Sequence, residues 1–259
     1  MKKFSFVFII ALIALSCNEK KEEALKNIDT LADNLKGKVE QTIDTDYKVD
    51  SSGKMGEQDS CCVVTTGYDD KGYISRYASD NKAATEKTKE EYVHYDNGAM
   101  KSVNSTRNGK QVSKISIDID KDGKYTTAKS FDSTGKMDSY YTDIASNDYG
   151  QLTSFKQYKP DSTLKMSMQS NYDSQFFMSN SVKDSIGKET YSSSLKRDGK
   201  NNITERKTMN VGKDSTTNKV LKYTYDSEDD KGNWTQRTEL DENGKPVKIT
   251  KRTITYYKE

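Results

Sequence analysis

The stretch Lys114-Ile115-Ser116-Ile117-Asp118-Ile119-Asp120-Lys121-Asp122-Gly123-Lys124 contains both elements from which the chain is built. Ile115, Ile117 and Ile119 alternate with Ser116 and Asp118, the two-residue period of a strand with one apolar and one wet face. Asp120 to Gly123 then breaks the pattern with residues that tolerate the positive φ of a tight turn. Strand and turn stand side by side, and the same pairing recurs along the chain.

Seven of the fifteen glycines have Asp three residues before them: Asp50/Gly53, Asp69/Gly72, Asp120/Gly123, Asp132/Gly135, Asp184/Gly187, Asp229/Gly232 and Asp241/Gly244. Random placement would give about one or two such pairs. Asn97-Gly98, Asn108-Gly109 and Asp198-Gly199 add turn dipeptides, and where turns follow closely they stand about 11 to 14 residues apart, the spacing of one strand plus one turn. Leu221, Tyr223 and Tyr225 alternate with Val220, Lys222 and Thr224 as the isoleucines do. The expected fold is all-β, an antiparallel meander of repeated hairpins over residues 35–259 forming an extended curved sheet. An open barrel or a sandwich is the alternative, and periodicity does not decide whether such a sheet closes.

Leu, Ile, Val and Phe together supply 43 of 259 residues, a fraction low enough to suggest disorder. Seventeen Tyr and only two Pro, Pro160 and Pro246, argue instead for half-exposed strands. The 42 basic side chains lose Lys2 and Lys3 if a leader is removed, leaving 40 against 40 acidic ones. With charges alternating in sign along the chain there is no basic stripe, and nucleic acid is not an expected partner.

Met1-Lys2-Lys3, the apolar run Phe4–Leu15 and Ser16-Cys17 read as a signal peptide over residues 1–16, too short to span a bilayer. Ala14-Leu15-Ser16-Cys17 resembles the lipobox of bacterial lipoproteins, which implies diacylglycerol on Cys17 and a lipid-mediated membrane partner; an ordinary secretory signal is the alternative. Lys21-Glu22-Glu23 is similar to the short signals that send Bacteroidetes lipoproteins to the cell surface, and a plain solvated tether is the other reading. Residues 17–34 are expected to form that tether, with a short helix suggested by Leu25, Ile28, Leu31 and Leu35. The implied location is lipid-anchored at the outer membrane, on its periplasmic or cell-surface side.

Tyr223-Thr-Tyr225-Asp226, Gly232-Asn-Trp234-Thr and Asp241-Glu-Asn-Gly244-Lys together resemble the tyrosine-aspartate (YD, or RHS-type) repeat in its Bacteroidetes lipoprotein form. Tyr92-Val-His-Tyr95-Asp96-Asn-Gly98 is a weaker copy, and Leu35–Val39 resembles the opening of such domains. The resemblance implies hairpin repeats and extracellular or carbohydrate-associated roles, with no catalytic residue to carry over. Asp29-Thr30-Leu31, Asp184-Ser185-Ile186 and Asp214-Ser215-Thr216 also resemble the O-glycosylation sequon of that phylum.

Chemistry-bearing candidates are few. His94, the single histidine, lies two residues from Asp96, but no serine stands in a nucleophile-elbow context. Asp118, Asp120 and Asp122 match the opening of a calcium loop, yet Lys129 occupies the position of the closing Glu, so an acidic hairpin turn is expected there and no metal or cofactor is called for. Cys61 and Cys62 should point to opposite faces of a strand as free thiols, a strained vicinal disulfide being the alternative. Tyr140, Tyr141, Tyr158, Trp234, Tyr256 and Tyr257 offer flat rings, for which cross-strand packing is the plainer account. Tyr223, Tyr225 and Trp234 are the candidate ligand-binding residues. A non-enzymatic lipoprotein acting as an envelope or cell-surface scaffold is the leading expectation, ahead of a carbohydrate-binding module using Tyr and Trp faces and an immunity-like protein that pairs its edge strands with a partner.

Overall fold

The computed structural model describes residues 29–30, 33–212 and 215–258. The readings of the leader, Cys17, Lys21-Glu22-Glu23 and the apolar positions Leu25, Ile28 and Leu31 lie outside those residues. Within them sixteen strands follow one another. They are β1 (Val39–Val49), β2 (Met55–Tyr68), β3 (Ile74–Asn81), β4 (Glu86–His94), β5 (Met100–Arg107), β6 (Lys110–Ile119), β7 (Tyr125–Asp132) and β8 (Met137–Ser146). The second half holds β9 (Leu152–Tyr158), β10 (Leu164–Asp173), β11 (Phe176–Asp184), β12 (Glu189–Arg197), β13 (Ile203–Val211), β14 (Thr216–Glu228), β15 (Trp234–Leu240) and β16 (Pro246–Tyr256).

The all-β hairpin meander is as expected; the extended curved sheet is not. β1 pairs antiparallel with β16, from Val39↔Tyr256 to Tyr47↔Ile249, and the sheet closes into a barrel. An open sheet would leave two rows of unpaired N–H and C=O groups, and closure satisfies both. Every substantial strand contact is between ladder neighbours, so the barrel is a single wall with no second sheet packed across it. Sixteen strands make a wall wide enough to enclose water. The strand domain opens at Val39; Leu35 lies outside any helix and packs on Val39 and Tyr68.

All seven Asp-x-x-Gly pairs are hairpin turns of one design. In the turn at Asp120 its carboxylate accepts the N–H groups of Asp122 and Lys124, its carbonyl accepts the Gly123 N–H, and its own N–H donates to the Lys124 carbonyl. The fourth residue is left-handed, with φ +77° at Gly123. Asn147 makes the same carboxamide bonds ahead of Gly150, and Asp198 makes them with Asn201, not a glycine, at φ 65°. Asn108-Gly109 is a two-residue hairpin turn of the type its dipeptide suggests.

Each turn of the Asp120 design is followed by a β-bulge. Asp118 faces Thr127, but Ile119 faces Tyr125, skipping one residue. The same slip occurs at Lys196/Arg197 and Ser227/Glu228. The bulge rotates the first residue of the new strand to the inner face. At the barrel end that holds residues 29–30 and 33–38, Ile74, Met100, Tyr125, Leu152 and Trp234 are all buried by it. At the opposite end Met55 is 40% exposed. Apolar packing is thus concentrated at one end.

Gly135 tests the turn geometry: its φ is +83° and nothing lies within 4 Å of a Cβ built there, so conformation alone sets the effect of substitution. Gly135→Val should lower stability by about 1–2 kcal/mol. Gly135→Asn should cost clearly less, since Asn201 already holds this conformation. Urea midpoints measure both, and equal costs would contradict the assignment.

Candidate ligand site in the barrel lumen

Cross-strand registers sort the side chains onto two faces. Lys89, Lys114, Lys129, Lys156 and Lys207 stand near the middle of β4, β6, β7, β9 and β13, all outward and exposed. The inward face divides into two arcs. From β3 to β12 it carries two apolar clusters, Ile74, Met100, Val103, Ile117 and Ala128 in one and Leu152, Phe155, Met168 and Val182 in the other, with buried polar residues such as Ser105, Ser130, Ser139, Gln157 and Ser170 beside them. Tyr141 and Ile144 pack on both clusters and join them.

From β12 to β16 the inner face carries Arg197, Arg206, Arg237 and Arg252, four of the chain's six arginines. The Arg252 guanidinium grips Asp44 through Nε and Nη2, each 2.7 Å from a carboxylate oxygen. It also lies 3.8 Å from the centre of the Trp234 ring. Arg237 stands 4.8 Å from the same ring and 5.0 Å from Tyr223, distances at which a cation is attracted to the π face. The Tyr225 and Trp234 rings are 5.9 Å apart, and Tyr225 donates to the Ile203 carbonyl at 2.9 Å. Tyr223, Tyr225 and Trp234 are therefore brought together, but Trp234 is 7% exposed and its ring lies against two guanidinium groups.

Such a wall has counterparts among solved structures. The chain is similar in fold to a porin-like protein from Bacteroides uniformis. The match covers 84% of this chain and 98% of that one, at 14% identity and a TM-score of 0.51. A porin-like protein from Bacteroides vulgatus (11% identity, 86% and 100% covered, TM-score 0.34) and a TcdB2-TccC3 structure (12%, 80% and 15% covered, TM-score 0.30) also match, at scores too low to support an argument. No protein-family model and no curated protein matches.

Residues 29–30 and 33–38 lie across the end of the barrel where Trp234 is. The Asp29 carboxylate accepts the Ile74 N–H at 2.7 Å, Asn34 donates to the Lys200 carbonyl and to Asn202, and the Lys36 N–H donates to Asn233. Tyr68 donates to Asp33 at 2.5 Å. The segment ties β3 on one side to the β12–β13 and β14–β15 turns on the other. Asp29 is 3% exposed, and its second oxygen has no partner. Burial pushes its carboxyl up to about 8, the Ile74 N–H opposing and Asp33 and Asp69 reinforcing the shift. Burial likewise raises Asp33, against the Tyr68 hydrogen bond and the pull of Arg252.

Other sequence candidates are dispersed. Asp120 caps its turn, Asp118 accepts from Thr127 at 2.9 Å, and Asp122 is an exposed turn residue. No cluster of three metal-ligating side chains occurs among the described residues. His94 is half-buried and stacked on Tyr73, ring centres 5.2 Å apart, while Asp96 sits in the next turn. Burial lowers its pKa. Cys61 and Cys62 are free thiols, and Thr30 of the first glycosylation-like triplet is 2% exposed, closed to modification in the folded chain. Tyr140 and Tyr158 stack across strands on the outer face at 5.4 Å. The arginines escaped sequence reasoning, although Arg206 and Arg237 fall in the strand phase that faces Leu221 and Tyr225.

Asp29 makes the fold sensitive to pH. Its folded pKa lies above the unfolded value of 3.8, so the native chain keeps a proton that the unfolded chain releases. The contribution is complete below about pH 4 and is lost as pH rises through about 8. Charged groups near it are Asp33 and Asp69, with the Tyr68, Tyr73, Tyr92 and Tyr125 phenols around them, so no cation offsets the loss among the described residues. Denaturation from pH 5 to 9 should show stability falling more steeply in the wild type than in Asp29→Asn. Parallel curves would refute the assignment.

Proposed function

We propose that this chain is a non-enzymatic envelope lipoprotein, tethered by a lipid on Cys17, whose barrel stands in water and serves as a binding vessel and not as a bilayer-spanning channel. The outward lysines carry this reading. A Lys on the lipid face at the bilayer midplane costs roughly 2–4 kcal/mol, so Lys89, Lys114, Lys129, Lys156 and Lys207 together would cost about 10–20 kcal/mol. No outward apolar band compensates, since their neighbours include Ser116, Ser167, Gln169 and Ser194. The likeness to a porin-like protein concerns the fold; the polarity of the wall is inverted relative to what lipid requires.

The leader and lipobox-like segment support the tether, and an envelope location is compatible with the barrel. The tyrosine-aspartate resemblance belongs to the same proposal: Tyr225 and, in the weaker copy, Tyr95 each donate to a backbone carbonyl, Ile203 and Ile117, and so brace the inner wall. A glycan platform built on Trp234 is disfavoured by the guanidinium groups on its ring. Partner binding through sheet edges is disfavoured by closure, which leaves no edge to extend.

A site-specific protease sequence inserted after Glu23 tests this. Cleavage in isolated envelopes should release the barrel into the aqueous phase without detergent. A cut barrel that stays with the membrane would overturn the reading.

A further inference from the structure

The geometry points to an anion seat in the lumen, formed by Arg206 and Arg237 beside Trp234, that takes the oxyanion head of an amphiphile whose chain lies along the apolar arc. The inference rests on the water-facing vessel reading. Arg237 and Arg206 are neighbours of Tyr223 on the inner wall: burial raises the pKa of that phenol, and both guanidinium groups oppose the rise, as cations close to a phenol must. Among the described residues neither has a carboxylate within ion-pair distance, whereas Arg252 is satisfied by Asp44 and Lys248 is held by Asp46 and Glu239 at 3.1 and 3.6 Å. The Arg237 Nε is buried without an acceptor, and so is that of Arg197, whose other nitrogens donate to the Asn201 and Phe177 carbonyls. Buried donors are normally satisfied, and a guanidinium is a fork shaped for the paired oxygens of a phosphate or carboxylate.

The other half of the ligand follows from what adjoins the seat. On the inner face of β12, Leu195 pairs with Arg206 and Tyr191 with Val182, and Ser193 stands between them, so the arginine arc reaches the apolar cluster across one serine. Ile115, Ile119, Met166 and Tyr191 are only partly buried on a face that no second sheet covers. A small inorganic anion would satisfy the guanidinium groups and leave those side chains wet. An amphiphile satisfies both, each methylene contributing about 0.8 kcal/mol when buried.

Trp234 is the chain's single tryptophan, so its emission reports the seat directly. The intact anchored protein in phosphatidylcholine nanodiscs would be titrated with hexyl phosphate, inorganic phosphate and hexanol. A saturable change with hexyl phosphate is expected, at least tenfold weaker with the other two. Arg237→Gln and Arg206→Gln should each weaken hexyl phosphate at least tenfold with the circular dichroism unchanged; Arg237→Lys should recover part of the loss, and the outward Lys207→Gln should leave binding as it was. Hexanol equal to hexyl phosphate would overturn the anion seat. Inorganic phosphate equal to it would overturn the apolar half. No saturable response would overturn the site as a whole, yet would leave the vessel reading intact if tether cleavage still frees the barrel.

Discussion

The pairing of β1 with β16 is the constraint on which the molecule depends. It joins residues about 200 positions apart, and beneath it the Asp44–Arg252 fork fixes the two strands from the inner side. Without that seam the wall would be an open sheet with two unsatisfied edges and no inside. With it, every side chain is assigned to a lumen or to solvent, and the fourteen strands between inherit that assignment from their neighbours. Arg252 links seam and site: the group that holds Asp44 also lies against Trp234.

The turns determine which residues reach the lumen. Each Asp or Asn at the start of a turn gathers two N–H groups, and the bulge that follows shifts the next strand by one residue. At the end crossed by residues 29–30 and 33–38, Ile74, Tyr125, Leu152 and Trp234 are turned inward by this device, and Met100 by the bulge after the turn that starts at Tyr95. At the opposite end, where Asp50, Asp132, Asp184 and Asp241 open turns of the same design, the first residue after the Asp50 turn, Met55, is 40% exposed.

Much of the fold was legible because its causes are local. The alternation of Ile115, Ile117 and Ile119 and the Asp-x-x-Gly spacing yield hairpins without knowledge of the rest of the chain. The turn at Asn147 is hidden because Asn replaces Asp, and the turn at Asp198, legible from Asp198-Gly199, puts its left-handed residue at Asn201 and not at the glycine. Closure was not legible, because it depends on register between chain-distant strands and on the accumulated twist of sixteen. The site was half legible. Tyr223 and Tyr225 alternate plainly, but strict alternation puts Trp234 in phase with Gln236 and Thr238 on the outside; only the bulges at Tyr225/Ser227 and Ser227/Glu228 bring it in beside Arg237. The same rings that suggested a sugar platform are, in the folded chain, a surface on which arginines lie.

Amide hydrogen exchange resolved along β1 tests the central claim most directly. In a closed barrel the β1 amides that point toward β16 are hydrogen-bonded, and they should be protected as strongly as those that point toward β2. Exchange of the β16-facing amides at the rate of exposed loops, with the β2-facing set protected, would show an open edge and contradict the barrel, its lumen and the site within it.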